Sequence, residues 1–402
     1  MMKIGIIREE KHPPDNRVPL TPLQCADLHE LYPGITLVVE PSANRCFSNE
    51  EYMNAGVRLQ KDLSDCDVLL GVKEVPRDKL IPGKTYFFFS HTIKKQPYNK
   101  TLMQILIAKK IRMIDYETLT HKDGKRILGF GFFAGVVGAH NGLLTYGRKF
   151  NLFQLKAAHE CQNMEEMLAQ YRHIKLPPVK IALTGSGRVA AGLLKIMEHW
   201  DIENVEPGDF LNNQYDYPVY THLKGWDLYE NKQTGKYDRD RFHQHPGLFK
   251  CKFQPYTRQA DILMNGIYWD SKIEPLFEKE NIQDPGFKIS VIADVTCDID
   301  GSVPINIGAS TIAEPVYGID RKTLRRTLPF QNTREIIDMM TVDNLPNELP
   351  RDASRHFGEH IIKFILPELL KEDSDILDRA TLCRDGRLTG HFEYLSDYAF
   401  GK

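Results

Sequence analysis

The sequence predicts an α/β protein made of two doubly wound, Rossmann-like parallel-sheet domains with a cleft between them. Three observations carry this. Short apolar runs alternate with helix-start signals from the first residues onward. A glycine-rich turn stands between an apolar run and a helical pattern in mid-chain. Two neighbouring apolar runs each end in a titratable side chain, at the position where an open parallel sheet binds its ligands.

The elements follow in order. Lys3-Ile4-Gly5-Ile6-Ile7 reads as the first strand. Thr21-Pro22-Leu23-Gln24 opens a helix, with Thr as cap, Pro at the first helical position and Gln returning to the cap backbone. Residues 35–40 form the next strand, and Ser48-Asn49-Glu50-Glu51 is a second capping box. Strands are expected at 68–72, 85–89 and 111–114, the last ending at Asp115. Residues 130–144, rich in Gly and Ala, predict a closely packed helix that leaves the first domain. A second strand-turn-helix starts at 179–184, turns through Gly185-Ser186-Gly187-Arg188-Val189-Ala190 and continues with Leu193, Leu194, Met197 and Trp200 at helical spacing. Residues 260–269 and 288–295 supply two more strands. The domains are then 1–134 plus 335–402 for substrate and catalysis, and 135–334 for a dinucleotide, with a polar, aromatic insertion at 208–256. A helix from Arg351 onward, with Phe357, Ile361 and Phe364 on one face, closes the first domain.

Bulk properties narrow the class of function. A chain of 402 residues is long for one core and comfortable for two. With 42% hydrophobic and 26% charged residues it is globular, and a net charge of −2 without a long basic run argues against nucleic acid or an anionic membrane as partner. Small-molecule substrates fit better, and an oligomer is compatible with this composition. The seven cysteines are scattered, with no C-x-x-C spacing, which argues against a disulfide framework or a structural metal and suits a reducing cytoplasm. No signal peptide or run of membrane-spanning length is evident.

The titratable strand ends are Lys73, after Val-Leu-Leu-Gly-Val, and His91, after Tyr-Phe-Phe-Phe-Ser. A lysine and an imidazole brought to one crevice suit acid/base chemistry at an amine or carbonyl. Lys94, Lys95 and Gln96 follow, a cationic place for anionic substrates. Gly185 and Gly187 let a pyrophosphate approach a helix N-terminus. Glu206, about twenty residues further on, would bond the ribose hydroxyls and favour NAD, whereas Arg188 could contact a 2′-phosphate, so the cofactor is NAD or NADP. Asp294, followed by Val295, ends a strand and is placed to face the nicotinamide half.

Ile6-Ile7-Arg8-Glu9 through Pro14-Asp15-Asn16-Arg17-Val18-Pro19-Leu20-Thr21-Pro22 resembles the opening of the alanine dehydrogenase and transhydrogenase superfamily. Phe89-Ser90-His91-Thr92-Ile93-Lys94-Lys95-Gln96, Ile114-Asp115-Tyr116-Glu117, Gly129-Phe130-Gly131-Phe132-Phe133-Ala134-Gly135, Asn265-Gly266-Ile267-Tyr268-Trp269 and Val342-Asp343-Asn344-Leu345-Pro346 together resemble the lysine-ketoglutarate reductases, the lysine-forming saccharopine dehydrogenases. The aromatic insertion is similar to the form fused in animal bifunctional enzymes, without their second module. The resemblance implies an enzyme that joins the ε-amine of lysine to 2-oxoglutarate, loses water and reduces the imine to saccharopine with NAD(P)H. It implies Lys73 as base toward the amine and His91 as acid/base toward the carbinolamine oxygen. Arg17, Arg126 and Lys94 would hold carboxylates, Gln96 would touch substrate, and Phe130 and Tyr268 would wall its aliphatic chain. Lys94 and Arg126 are expected to lower the Lys73 pKa, opposed by Glu74 and Glu117. Two other functions compete. An alanine dehydrogenase shares the early motifs but has little use for so cationic a run, and a nucleotide-binding regulatory protein would keep the fold without turnover.

Overall fold

In the computed structural model, which describes residues 2–401, the apolar runs become short strands of two eight-stranded sheets and one two-stranded antiparallel sheet. The first part of the chain contributes β1 (Met2–Ile6), β2 (Ile35–Val39), β3 (Arg58–Leu59), β4 (Val68–Leu70), β5 (Thr85–Phe88) and β6 (Arg112–Asp115). The middle contributes β7 (Lys180–Thr184), β8 (Glu203–Asn204), β9 (Val219–Leu223), β10 (Tyr229–Asn231), β11 (Phe249–Cys251) and β12 (Ile262–Asn265). Then come β13 (Val291–Asp294), β14 (Val316–Asp320), β15 (Arg326–Thr327), β16 (Ile336–Met340), β17 (Thr381–Arg384) and β18 (Arg387–Leu388). Two units result, one of Met1–Phe130 with Pro350–Lys402 and one of Gly131–Leu349.

The first unit holds a sheet in the order β18-β17-β6-β5-β4-β1-β2-β3, parallel from β3 to β6. Its strands are apolar on both faces because helices cover both. Val68, Leu70 and Phe87 join one core with Ile4, Ile6 and Phe357, while Leu69, Tyr86 and Phe88 join the other with Leu102, Met103 and Leu106. Both expected capping boxes form: Thr21 and Gln24 exchange bonds at the start of Pro22–Leu31, as do Ser48 and Glu51 at Asn49–Asn54. Helix Pro350–His360 docks where the Ser354 hydroxyl accepts the Val18 N–H (2.9 Å) and Gln24 donates to the Arg355 carbonyl (2.8 Å). An unforeseen hairpin, β17–β18, adds antiparallel to β6, with Leu382 and Cys383 fully buried. The chain re-enters this unit at Pro350 rather than near 335, because Ile336–Met340 is a wholly buried strand of the other sheet.

In the second unit the order is β15-β14-β16-β13-β12-β7-β9-β8, parallel from β8 to β16 with β14 and β15 antiparallel at one edge. The small-residue helix runs over Gly131–Lys149 and packs on Arg188–His199 at backbone distance. A Cβ on Gly135 would strike the Val189 carbonyl, and one on Gly192 the Phe132 carbonyl. Residues 208–256 are not simply an insertion. Val219, Thr221 and Leu223 are fully buried on alternate positions, and β9 lies between β7 and β8, inside the sheet. Polar neighbours hide that alternation in the sequence. Among the described residues no helix is long and apolar enough to cross a membrane, and no His/Cys/Asp/Glu group could hold a metal ion.

Candidate functional site

In the first unit the order of the strands reverses at β1, with β2 on one side and β4 on the other, the kind of switch point where open α/β sheets bind ligands. Pairing continues past β4, since Phe89 donates to the Val72 carbonyl (3.0 Å), so Lys73 emerges at the strand end. Glu9, just beyond β1, clamps that exit: its carboxylate accepts the N–H of Val72 at 2.6 Å and of Lys73 at 2.9 Å. His91 sits in the left-handed region (φ 49°), on a turn fixed from below. Asp115, at the end of β6, accepts the Ser90 N–H (3.1 Å), the Ser90 hydroxyl and the Glu117 N–H (2.7 Å), and the Ser90 hydroxyl also bonds that of Thr92 (2.7 Å).

These supports bring Lys73 Nζ to 3.5 Å from His91 Nε2. Glu74 lies 4.0 Å from the same ring nitrogen and is held by Lys11 (3.0 Å) and the Asn99 amide (3.2 Å). The lysine pKa is depressed, first by burial and then by Arg17 and Lys11, with Asp15 and Glu74 opposing. Burial and then Lys73 depress His91, while Glu74 opposes. Hence the cations acting on Lys73 are Arg17 and Lys11, not the expected Lys94 and Arg126. Burial also pushes Glu9 up to about 8 and Asp115 to about 6. A hollow of about 650 Å³ is lined in part by Glu9, Lys11, His12 and Asp15, with neither Lys73 nor His91 in its wall. Sequence reasoning passed over Lys11 and Glu9, whose only signal was a place within a motif already noted, and Asn99, which lies outside every motif noted.

The expected substrate residues separate into groups. Arg17 is 3% exposed and grips Asp15 through Nε (2.9 Å) and Nη2 (2.5 Å). Its guanidinium lies 4.1 Å over the Phe130 ring, which stacks on Phe357. Phe130 in turn meets Phe89, which stacks on His91, so Arg17, Phe130 and His91 belong to one cluster. Arg126 pairs with Glu117 at 3.2 Å, and Glu117 is close enough to favour the charged form of His91. Lys94 is exposed, and Lys95 binds Asp397 (2.7 Å). Gln96 has a buried Oε1 with no hydrogen-bond partner.

The second unit carries the dinucleotide candidates. Gly185 adopts φ 112°, and a Cβ there would strike the Gly266 carbonyl, so the turn requires glycine. Gly187 is the N-cap of Arg188–His199, has open space where a Cβ would stand, and is exposed along with Ser186 and Arg188. That bare turn at a positive helix end fits a dinucleotide pyrophosphate.

Three assignments in this unit are corrected. Glu206 is an exposed N-cap after β8, at the sheet edge, and β9 separates it from the glycine strand. Sequence order and sheet order differ there, so the acid is not beside the turn. Asp294 is 1% exposed, its oxygens bonded by the amides of Asn265 (2.8 Å) and Asn306 (2.8 Å), while Asn265 accepts from Thr184 (2.8 Å). It ties the ends of β7, β12 and β13 together, and burial lifts it to about 6. Val295 continues that strand end by donating to the Asn265 carbonyl (3.0 Å), and its side chain faces Gly138. Tyr268 is 66% exposed, edge-on to His243, and lines a separate hollow of about 250 Å³ with Pro246 and Lys272.

Comparison with known proteins agrees with this architecture. Residues 5–137 match the family model for the alanine dehydrogenase/PNT N-terminal domain. The chain is 28% identical over 446 residues to the mitochondrial alpha-aminoadipic semialdehyde synthase of Mus musculus, covering 98% of the chain and 47% of that protein. For the alpha-aminoadipic semialdehyde synthase of Arabidopsis thaliana the values are 29% over 447 residues, 98% and 41%. The chain thus spans about half the length of these relatives. Against the saccharopine dehydrogenase (NAD(+), L-lysine-forming) of Emericella nidulans it is 27% identical over 397 residues, covering 93% and 94%. Among solved structures, L-alanine dehydrogenase shares the fold with a TM-score of 0.67 at 16% identity, covering 99% of this chain and 100% of that one. A transhydrogenase from Sinorhizobium meliloti gives 0.60 at 14%, covering 96% and 99%. Over nearly its whole length the chain is thus similar to proteins named saccharopine dehydrogenase and alpha-aminoadipic semialdehyde synthase, and residues 5–137 match the alanine dehydrogenase/PNT N-terminal domain.

Proposed function

We propose that the chain is a nicotinamide-dependent oxidoreductase that interconverts L-lysine plus 2-oxoglutarate with saccharopine. The 3.5 Å approach of Lys73 Nζ to His91 Nε2 carries this, with both groups biased toward their neutral forms. A lysine substrate must lose a proton before its ε-amine can attack a keto carbon, and Lys73, whose neutral form is favoured by burial and by Arg17, is a base held ready to take it. The carbinolamine must then lose hydroxide as water, and His91, once it has received the proton that Lys73 took from the amine, supplies it at the oxygen and leaves a protonated imine. The imine that remains accepts hydride and becomes a secondary amine. The nicotinamide, when bound, supplies that hydride, and Gly185 and Gly187 would admit its pyrophosphate to the helix end.

Arg17, Arg126 and Lys94 remain the cations assigned to the substrate carboxylates. Arg17 enters that role pre-aimed, because Asp15 fixes one edge of its fork. The unsatisfied Gln96 Oε1 is a ready acceptor for a substrate ammonium hydrogen.

Steady-state oxidation of NAD(P)H tests the proposal. Turnover is expected with lysine plus 2-oxoglutarate and not with pyruvate plus ammonia; the opposite pattern would mean an alanine dehydrogenase, and binding without turnover a regulatory protein. Lys73→Met and His91→Gln should each lower kcat by about 10²-fold or more. The double variant should lose little beyond either single one if the two act as a unit.

A further inference from the structure

Asparagine is among the residues that best cap a helix, because its side-chain oxygen accepts a free N–H of the first turn. Asn99 stands at the N-cap of helix Lys100–Ala108 and makes no such bond. It is buried, and its amide nitrogen is committed elsewhere. Nδ2 donates to the Ser90 carbonyl at 2.9 Å and to Glu74 Oε1 at 3.2 Å. The helix start forgoes a stabilising cap, and one amide instead joins the residues that follow the neighbouring strands β4 and β5.

Both acceptors bear on His91. The Ser90 carbonyl belongs to the peptide that leads into His91, whose backbone is held in the left-handed region at φ 49°. Asp115 takes the Ser90 N–H at 3.1 Å, so the residue before the imidazole is pinned at both of its backbone groups. Glu74 Oε1, the second acceptor, is the oxygen that lies 4.0 Å from His91 Nε2. Lys11 holds the other oxygen of this carboxylate at 3.0 Å, a pull that Asn99 balances. The remaining charges acting on the imidazole are Lys73, from the strand end that also carries Glu74, Lys11, from the segment after β1, and Glu117, from the segment after β6.

We infer that Asn99 is a positioning residue for the acid/base pair: by bridging the Ser90 carbonyl and the Glu74 carboxylate it sets the distance from that carboxylate to the His91 ring, and with it how readily the ring holds a proton. The inference deepens the proposed reaction and rests on it for the use of that proton, but the ring's titration is read without turnover.

Leucine matches the shape of asparagine and donates nothing. In Asn99→Leu the His91 midpoint, followed by NMR of protein carrying labelled histidine, should fall. A carboxylate that withdraws from 4.0 Å to about 5 Å at an effective dielectric of about 20 lowers the proton affinity about two- to fourfold, the smaller figure allowing for solvent at the half-buried ring. In a Glu74→Gln background the same substitution should cause no further fall, a dependence that a purely structural role would not produce. Asn99→Ser, which keeps a single donor, should give a smaller fall and carries the same comparison if the leucine variant does not fold. A midpoint unmoved in the folded variants, or an equal fall with and without the Glu74 charge, would overturn the inference. With lysine and 2-oxoglutarate, kcat of Asn99→Leu should drop by about tenfold, because the proton donor is misplaced. Wild-type protein that fails to turn over these substrates would overturn the proposed reaction, and the midpoints alone would then decide the role of Asn99.

Discussion

Removing the positive charge of Lys73 should make His91 easier to protonate. Two unit charges 3.5 Å apart, the Nζ to Nε2 separation, repel by about 4 to 5 kcal/mol at an effective dielectric of about 20. The imidazole keeps 27% of its surface in solvent, so water screens part of this. Even a quarter of the repulsion, about 1 kcal/mol, is a several-fold change in proton affinity. Methionine matches the lysine stem without the charge, and Lys73→Met should therefore move the His91 titration midpoint upward. The assay is NMR of protein carrying labelled histidine, with the His91 signal assigned by its loss in His91→Gln. Glu74→Gln provides the opposite control, because its carboxylate favours the imidazolium, so that midpoint should fall. A midpoint that stays put or falls in Lys73→Met would show that the amine exerts no field on the ring, and the acid/base pair would lose its physical basis.

Other perturbations test the supports. In Glu9→Gln the amide can accept only one of the two N–H groups the carboxylate now bonds, and the orphaned donor should cost about 1 to 3 kcal/mol in urea unfolding. Because that clamp holds the Lys73 backbone, kcat should fall more than the affinity for nucleotide changes. For Asp115, whose folded-state pKa of about 6 exceeds its ordinary 3.8, the native state keeps a proton that the unfolded chain releases. The resulting stability is complete below about pH 4 and lost as pH rises through about 6, so Asp115→Asn should gain on the wild type across that window in urea midpoints. Gly192→Ala drives a methyl group into the Phe132 carbonyl and should lower stability by about 1 to 3 kcal/mol or more, read as a lower Tm.

Much of the site could be read before any coordinates because its carriers follow strong strands. Val68 to Val72 and Tyr86 to Phe89 carry no charged residue, and in a parallel sheet their ends must lie side by side, which places Lys73 near His91. The supporting cast was hidden for a physical reason: Lys11 meets Glu74, and Glu9 meets Lys73, only through the pairing of β1 with β4. Glu206 shows a different failure. Following the chain from the glycines, its strand comes first, but β9 takes the neighbouring place in space. Nothing in a linear order tells which of two later strands will lie against an earlier one. Asp294 failed through burial, since a carboxylate at a strand end looks the same whether it faces a ligand or two asparagines.

The division of β4 between two cores has a consequence for how this protein can change over time. Losing or gaining one residue between Val68 and Lys73 would exchange the sides to which Leu69 and Leu70 point, and would turn the Lys73 amine away with them. Both layers of packing would object at once, so length errors here should be purged as folding failures well before they could appear as slow enzymes.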